Sequence, residues 1–278
     1  MMKRRPILIA LLAACALPLL TAQAAEPAAP FVLGVAPHTS ARVILEMYQP
    51  LRRYLETRLG MPVEVQTATD FTEFGRRALK QDYDLAITTG HQARLYQTDA
   101  GYIPLLTYQA DFKAVALVDR NGPIKTPADL RGAVVLGLSP TSLVTLWGQH
   151  WLRQQKIADI NLRYVSAADS VSRQVLAGEA RAAFTSLANY QKLPADQREQ
   201  LRILAESDAM AGRVYLLNKR WSSKQAVVDQ ALWSFASSPE GQAYFTQNKL
   251  DGYRKLRPRE LDAMEPFAVE TRQVLMGK

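Results

Sequence analysis

From Phe31 to Leu217 short apolar runs alternate with segments of helical periodicity, which restricts the chain to an α/β fold built on parallel strands. Residues 31–36 read as a buried strand ended by Pro37, and a helix follows from Ser40. Val43, Met47, Leu51 and Leu55 recur every four residues, and Gly60 is a stop signal. Pro50 either kinks this helix or splits it in two. Residues 61–67 form the next strand, and Asp70-Phe71-Thr72-Glu73 has capping-box form and opens a helix to Gln81. A short strand over 83–88 leads through Thr89-Gly90-His91 into a helix over 92–98, and strands over 102–108 and 112–118 follow.

The pattern restarts after the Asn121-Gly122-Pro123 turn. Thr126-Pro127 begins a short helix, 133–138 is a strand, and Ser139-Pro140 is expected to open a helix running to Gln155. Strands over 162–165, 180–184, 201–205 and 212–217 surround a helix over 169–177. From Lys224 the tail is helical, with Ser238-Pro239 starting one helix. Two α/β units of similar length leave a cleft where strand ends and helix N-termini converge.

The first 24 residues have a separate purpose. Lys3, Arg4 and Arg5 precede an apolar stretch over 7–20, and Ala22-Gln23-Ala24 supplies a small-x-small cleavage site. That stretch is 14 residues long, whereas a spanning helix needs about 20. The chain is therefore expected to be exported and cut to a soluble periplasmic protein starting at Ala25, with residues 25–30 as an Ala/Pro linker. Leu12-Ala13-Ala14-Cys15 also fits a lipoprotein box. Cutting there would leave apolar residues 16–20 where a tether should be polar, so this reading is the weaker one.

Cys15 is the only cysteine, so the mature chain has no disulfide, no thiolate metal site and no cysteine nucleophile. Its 254 residues must be held by an ordinary apolar core, and that length is ample for one. Removing Lys3, Arg4 and Arg5 lowers the formal net charge from +8 to +5. The remaining bases are dispersed, with no basic-aromatic motif for nucleic acid, and a mildly positive surface suits an anionic small ligand. His38, His91 and His150 lack metal-ligand spacing, and no nucleophile motif suggests an enzyme. Neither metal nor cofactor is expected. Trp147 and Trp151, one helical turn apart, read as a packing stripe rather than a ligand platform.

Several strand-to-helix turns carry hydroxyls. Ser139-Pro140-Thr141-Ser142 is the strongest candidate, since free N–H groups and the positive dipole end at a helix start favour an anion. Thr88-Thr89-Gly90-His91 and His38-Thr39-Ser40 have the same form, and Gly90 allows close backbone approach. Thr185 and Ser186 end another strand, and Asp169 starts a helix that it either caps or uses to present its carboxylate to the cleft.

The order of these segments resembles the phosphate/phosphite/phosphonate-binding periplasmic proteins of ABC transporters. The resemblance is carried by Tyr48-Gln49-Pro50-Leu51-Arg52-Arg53-Tyr54-Leu55, Leu59-Gly60 before Pro62-Val63, Asp70-Phe71, Tyr83-Asp84-Leu85-Ala86, the Ser139–Ser142 turn and Leu250-Asp251-Gly252-Tyr253, over nearly all of residues 31–275. It implies a two-lobed, type II Venus-flytrap fold with hinge strands, residues 31–119 plus 208–278 in one lobe and 120–207 in the other. With the hydroxyl-bearing turns read above, the expected ligand contacts are His38, Thr39, Phe71, Thr88, Thr89, Gly90, His91, Ser139, Thr141, Ser142, Asp169, Thr185 and Ser186. A family tyrosine falls on Phe71, the family's aromatic before Gly90 is missing, and a family histidine falls on Asp169. An ionised Asp169 in the cleft would repel a dianionic phosphonate and favour a ligand carrying a donor, a cation or a proton. The implied function is a monomeric, non-enzymatic solute receptor that closes on a small oxyanion or polar solute and delivers it to an ABC permease. The alternative is a sensing subunit that reports to a membrane receptor such as a histidine kinase.

Overall fold

The computed structural model describes residues 29–165 and 170–277. The expected signal segment and Asp169 lie outside the described residues. The chain begins with β1 (Phe31–Val35), α1 (Ala41–Met47), α2 (Gln49–Leu59), β2 (Val63–Gln66), α3 (Phe71–Leu79), β3 (Leu85–Thr89), α4 (Gly90–Asp99) and β4 (Ile103–Tyr108). It continues with β5 (Ala114–Asp119), β6 (Val134–Gly137), α5 (Leu143–Gln154), β7 (Asn161–Tyr164), α6 (Val171–Leu176), β8 (Ala182–Ser186), α7 (Leu187–Gln191), α8 (Ala195–Gln200) and β9 (Leu201–Glu206). It ends with β10 (Arg213–Leu217), α9 (Gln225–Ser237), α10 (Pro239–Asn248), β11 (Tyr253–Arg254) and α11 (Glu265–Leu275).

Among the described residues two sheets form, ordered β11-β4-β10-β3-β1-β2 and β7-β6-β8-β5-β9. The expected parallel pairing holds for β2-β1-β3 and for β7-β6-β8. The remaining pairs are antiparallel. β10 returns between β3 and β4, and β5 lies between β8 and β9. Both sheets are thus mixed, because the chain leaves the first sheet after β4 and re-enters it after β9. The crossing segments touch through the antiparallel bridge Phe112–Met210. β5, which the sequence reading assigns to the first lobe, hydrogen-bonds into the second sheet.

Local chemistry sets the element ends. Pro50 sits in the first turn of α2, where its missing N–H costs nothing, so the expected long helix divides at Tyr48 into α1 and α2. Asp70 caps α3 by accepting from the Thr72 and Glu73 amides at 2.8 and 2.9 Å. The helix expected from Ser139 starts three residues later. The Ser142 amide donates to the Ser139 carbonyl at 3.1 Å and closes a β-turn with Pro140 in its second position. Ser142 then caps α5 by accepting from the Thr145 amide.

Phe31, Leu33 and Val35 point from β1 into one apolar cluster, with Leu51 and Leu55 of α2 and Phe235 of α9. A second cluster runs from Phe74 and Tyr83 through Val115 and Phe184 to Trp147, and joins the two sheets' units. Trp147 and Trp151 stack with ring centroids 6.0 Å apart, edge-on to Phe184, so they pack the interior as expected. α11 packs on α4 and reaches α5, where Glu270 accepts from His150 at 2.6 Å and from Arg153 at 2.9 Å. Among the described residues no helix is long and apolar enough to cross a membrane.

Candidate functional site

The ends of β1, β3 and β8, the start of β10 and the N-terminus of α5 meet at a cavity of about 60 Å³. His38, Phe71, Thr89 and Arg213 line it from the side of the first sheet. Leu138, Ser142, Leu143, Val144, Ser186 and Asn189 line it from the side of the second. The main-chain amides of Leu143 and Val144, in the first helical turn, have no intrahelical acceptor and form the positive end of the helix dipole.

Arg213 is the principal charge in the cavity wall. It is the first residue of β10 and pairs across the ladder with Thr89. Its guanidinium lies over the Tyr108 ring, 5.7 Å from the centroid. Its Nη1 is sealed from solvent without a hydrogen-bond partner among the described residues. Behind it stands a buried network of phenols. Tyr108 Oη lies 3.3, 2.7 and 2.6 Å from the hydroxyls of Tyr48, Tyr215 and Tyr244, and Tyr253 Oη donates to Tyr215 Oη at 2.8 Å. Burial pushes Tyr108, Tyr215, Tyr244 and Tyr253 well above the ordinary phenol range, so these groups stay neutral. A permanently charged guanidinium with an unused buried donor, set against neutral rings, has the chemistry to donate to an anionic oxygen.

His38 shares the cavity. Its Nδ1 is 2.9 Å from the Ala36 carbonyl oxygen, and its buried Nε2 has no partner among the described residues. Burial first, then the charges of Arg213 and Lys192, hold its pKa well below the ordinary 6.5 against the opposing effect of the Ala36 hydrogen bond.

The sequence-derived candidates divide into three groups. His38, Phe71, Thr89, Ser142 and Ser186 line the 60 Å³ cavity. Thr39 and Thr185 line a neighbouring cavity of about 290 Å³, bordered by Leu117, Val171, Ser172 and Tyr190. Thr185 and Ser186 alternate along β8 and so face different cavities, while Asn189 borders both. Thr88, Gly90, His91, Ser139 and Thr141 border neither cavity and make internal contacts. Thr88 Oγ1 donates to Gln92 Oε1 at 2.6 Å. The Gly90 amide donates to the Ala211 carbonyl, and a Cβ at Gly90 would lie 2.8 Å from that oxygen, so its close approach is to the protein's own backbone. His91 Nε2 lies 2.9 Å from the Thr141 carbonyl oxygen, and Thr72 Oγ1 lies 3.1 Å from Thr141 Oγ1, which docks the Ser139–Ser142 turn onto the first unit. The hydroxyl of Thr141 is therefore used in joining the two units, with Ser139 Oγ 3.4 Å away.

Sequence reading missed Arg213 and the tyrosine network. A signal was present: Gly212-Arg213-Val214-Tyr215 puts a cation and an aromatic on the same face of an otherwise apolar strand. Nothing local shows that β10 returns beside β3, which is what carries Arg213 to Thr89.

Two mixed α/β units, joined by two crossing segments around a cavity that both line, define a periplasmic-binding-protein architecture. The family model described as "ABC transporter, phosphonate, periplasmic substrate-binding protein" matches residues 33–261, and the chain belongs to that family, which comprises transport receptors and not enzymes. Among solved structures, XAC2383 from Xanthomonas citri bound to chloride ion is 20% identical with a TM-score of 0.72, over 88% of this chain and 99% of that one. The same protein bound to ATP is 19% identical with a TM-score of 0.74, over 87% and 98%. PhnD1 from Prochlorococcus marinus in complex with methylphosphonate is 12% identical with a TM-score of 0.78, over 87% and 98%. No curated protein matches the sequence.

Proposed function

We propose that this chain is the solute receptor of an ABC importer and captures a small phosphonate- or phosphate-like oxyanion in the cleft between its two sheets. The carrying observation is the buried Nη1 of Arg213, which has no partner among the described residues and belongs to a residue lining a cavity shared by both units. A bare buried guanidinium donor is costly in the empty protein, and an anionic oxygen from the ligand satisfies it. The first-turn amides of α5 supply neutral donors from the opposite wall. Contacts from both walls exist only when the units are closed on the ligand, so binding stabilises the closed state that a permease receives. Export by residues 1–24 and processing after Ala24 belong to the same reading, which N-terminal sequencing of the secreted protein checks.

The test is calorimetric titration with phosphate, phosphite, methylphosphonate, methanesulfonate and acetate. At least one tetrahedral oxyanion is expected to bind, and ligand at 100 times its dissociation constant should stabilise the protein by about 2.7 kcal/mol. Arg213→Met should weaken that binding by about 2 kcal/mol, the worth of a hydrogen bond to a charged group. Unchanged affinity in Arg213→Met would remove the guanidinium from the site.

A further inference from the structure

We propose that the cleft selects its oxyanion in a singly protonated form, the ligand's own hydroxyl donating to His38 Nε2 while an ionised oxygen of the same group accepts from Arg213. The proposal rests on the oxyanion reading above and specifies the protonation state and class of ligand.

The tautomer of His38 follows from its neighbour. A carbonyl oxygen only accepts, so the 2.9 Å contact with Ala36 places a proton on Nδ1. In the neutral ring Nε2 then carries a lone pair. That atom, like Arg213 Nη1, is buried and without a partner among the described residues, and both residues line one cavity. One acceptor and one cationic donor, each without a partner among the described residues, thus lie in the side chains that form this wall.

The neighbours of His38 keep the ring neutral. Arg213 on β10 and Lys192, just after α7, are both cationic and both act against its protonation. Tyr48, between α1 and α2, meets the ring edge-on with centroids 6.3 Å apart. Of the groups acting on the ring, only the Ala36 carbonyl favours the charged form.

Three tetrahedral ligands meet this wall differently. A phosphonate or phosphate monoanion has one P–OH donor and ionised oxygens, which matches Nε2 and Nη1 together. A dianion puts a lone pair against a lone pair at Nε2. A sulfonate has the charge and nearly the shape of the phosphonate monoanion, but no hydrogen to give at neutral pH. It leaves Nε2 buried and unsatisfied, and a site built to receive a donor discriminates strongly against a ligand that lacks one.

The experiment is calorimetric titration of the wild-type protein with methylphosphonate and with methanesulfonate from pH 6 to pH 9. Methylphosphonate should bind more tightly at pH 6 and weaken by about tenfold per pH unit above its second ionisation. Methanesulfonate should bind at least about tenfold more weakly than methylphosphonate at pH 6, with little pH dependence. His38→Leu should bring the two affinities to within about threefold of each other. Equal affinities in the wild type at pH 6, or methylphosphonate binding that holds or tightens toward pH 9, would overturn the proposal. Methanesulfonate binding that tightens in step with methylphosphonate as pH falls would also overturn it, because His38 and not the ligand would then carry the proton. Failure of the wild type to bind either anion, or phosphate or phosphite, at any pH would overturn the oxyanion reading itself. The wild-type comparison needs no variant to fold.

Discussion

Acidification should loosen the chain at His91, by an amount the structure allows to be worked out. His91 is fully buried, with Nε2 2.9 Å from the Thr141 carbonyl oxygen and Nδ1 3.2 Å from Thr89 Oγ1. The carbonyl only accepts, so Nε2 carries the proton and Nδ1 receives the threonine hydroxyl. Burial lowers its pKa from the ordinary 6.5 to about 4, outweighing the opposing Thr141 hydrogen bond. The folded value lies below the unfolded one, so the unfolded chain binds more protons in acid. The stabilisation is complete above pH 6.5 and is lost as pH falls toward 4. At about 1.4 kcal/mol for each tenfold in proton affinity, the loss by pH 5 is about 2 kcal/mol. His38, lowered by the same cause, acts in the same direction, so the effect of His91 has to be isolated by a variant. His91→Gln keeps a donor for Thr141 and an acceptor for Thr89 but does not titrate. Urea unfolding of both proteins at pH 7.5 and pH 5 should show the wild type losing about 2 kcal/mol more than His91→Gln. Losses equal within about 0.5 kcal/mol would show that His91 is not the buried neutral strut described.

Two further substitutions probe how the site is supported. Ser142→Ala removes the cap of α5 and should cost about 1 kcal/mol in urea unfolding, more than Ser139→Ala, and the reverse order would contradict the cap assignment. Asp84→Ala leaves the Val32 amide, Arg220 and the Trp221 indole N–H without their shared acceptor, at 2.8 Å from Val32 and 2.7 Å from Arg220 Nε, and should cost about 3 kcal/mol. A thermal midpoint unchanged in Asp84→Ala would refute the role of this carboxylate as the anchor between β1 and the segment after β10.

Much of the architecture could be read locally, because strand and helix signals act over a few residues. The alternation of apolar runs, the Asp70 and Ser238 caps and the Pro50 break each depend on nearest neighbours, and each stands in the structure within a residue or two. Signals that compete at one turn were less decisive. The sequence reading opened the helix at Ser139-Pro140, but the turn around Pro140 moves the cap to Ser142. The resemblance to a periplasmic receptor family came from the order of short motifs, and the match over residues 33–261 bears it out.

The site itself was only half legible. Local sequence marks hydroxyl-rich strand ends, and His38, Thr89, Ser142 and Ser186 are indeed brought to one cavity, but the same signal also marked Thr88, His91 and Thr141, which fasten the protein to itself. The sequence alone determined that residues 31–275, which contain no cysteine, must hold themselves by an apolar α/β core. The tertiary structure alone decided that β5 crosses to the second sheet, and that β10 returns antiparallel beside β3. That return sets Arg213 opposite Thr89 and over Tyr108. The physical reason is range: caps and periodicity are settled within one turn of chain, whereas a charge placed across residues 89 to 213 depends on which strands pair.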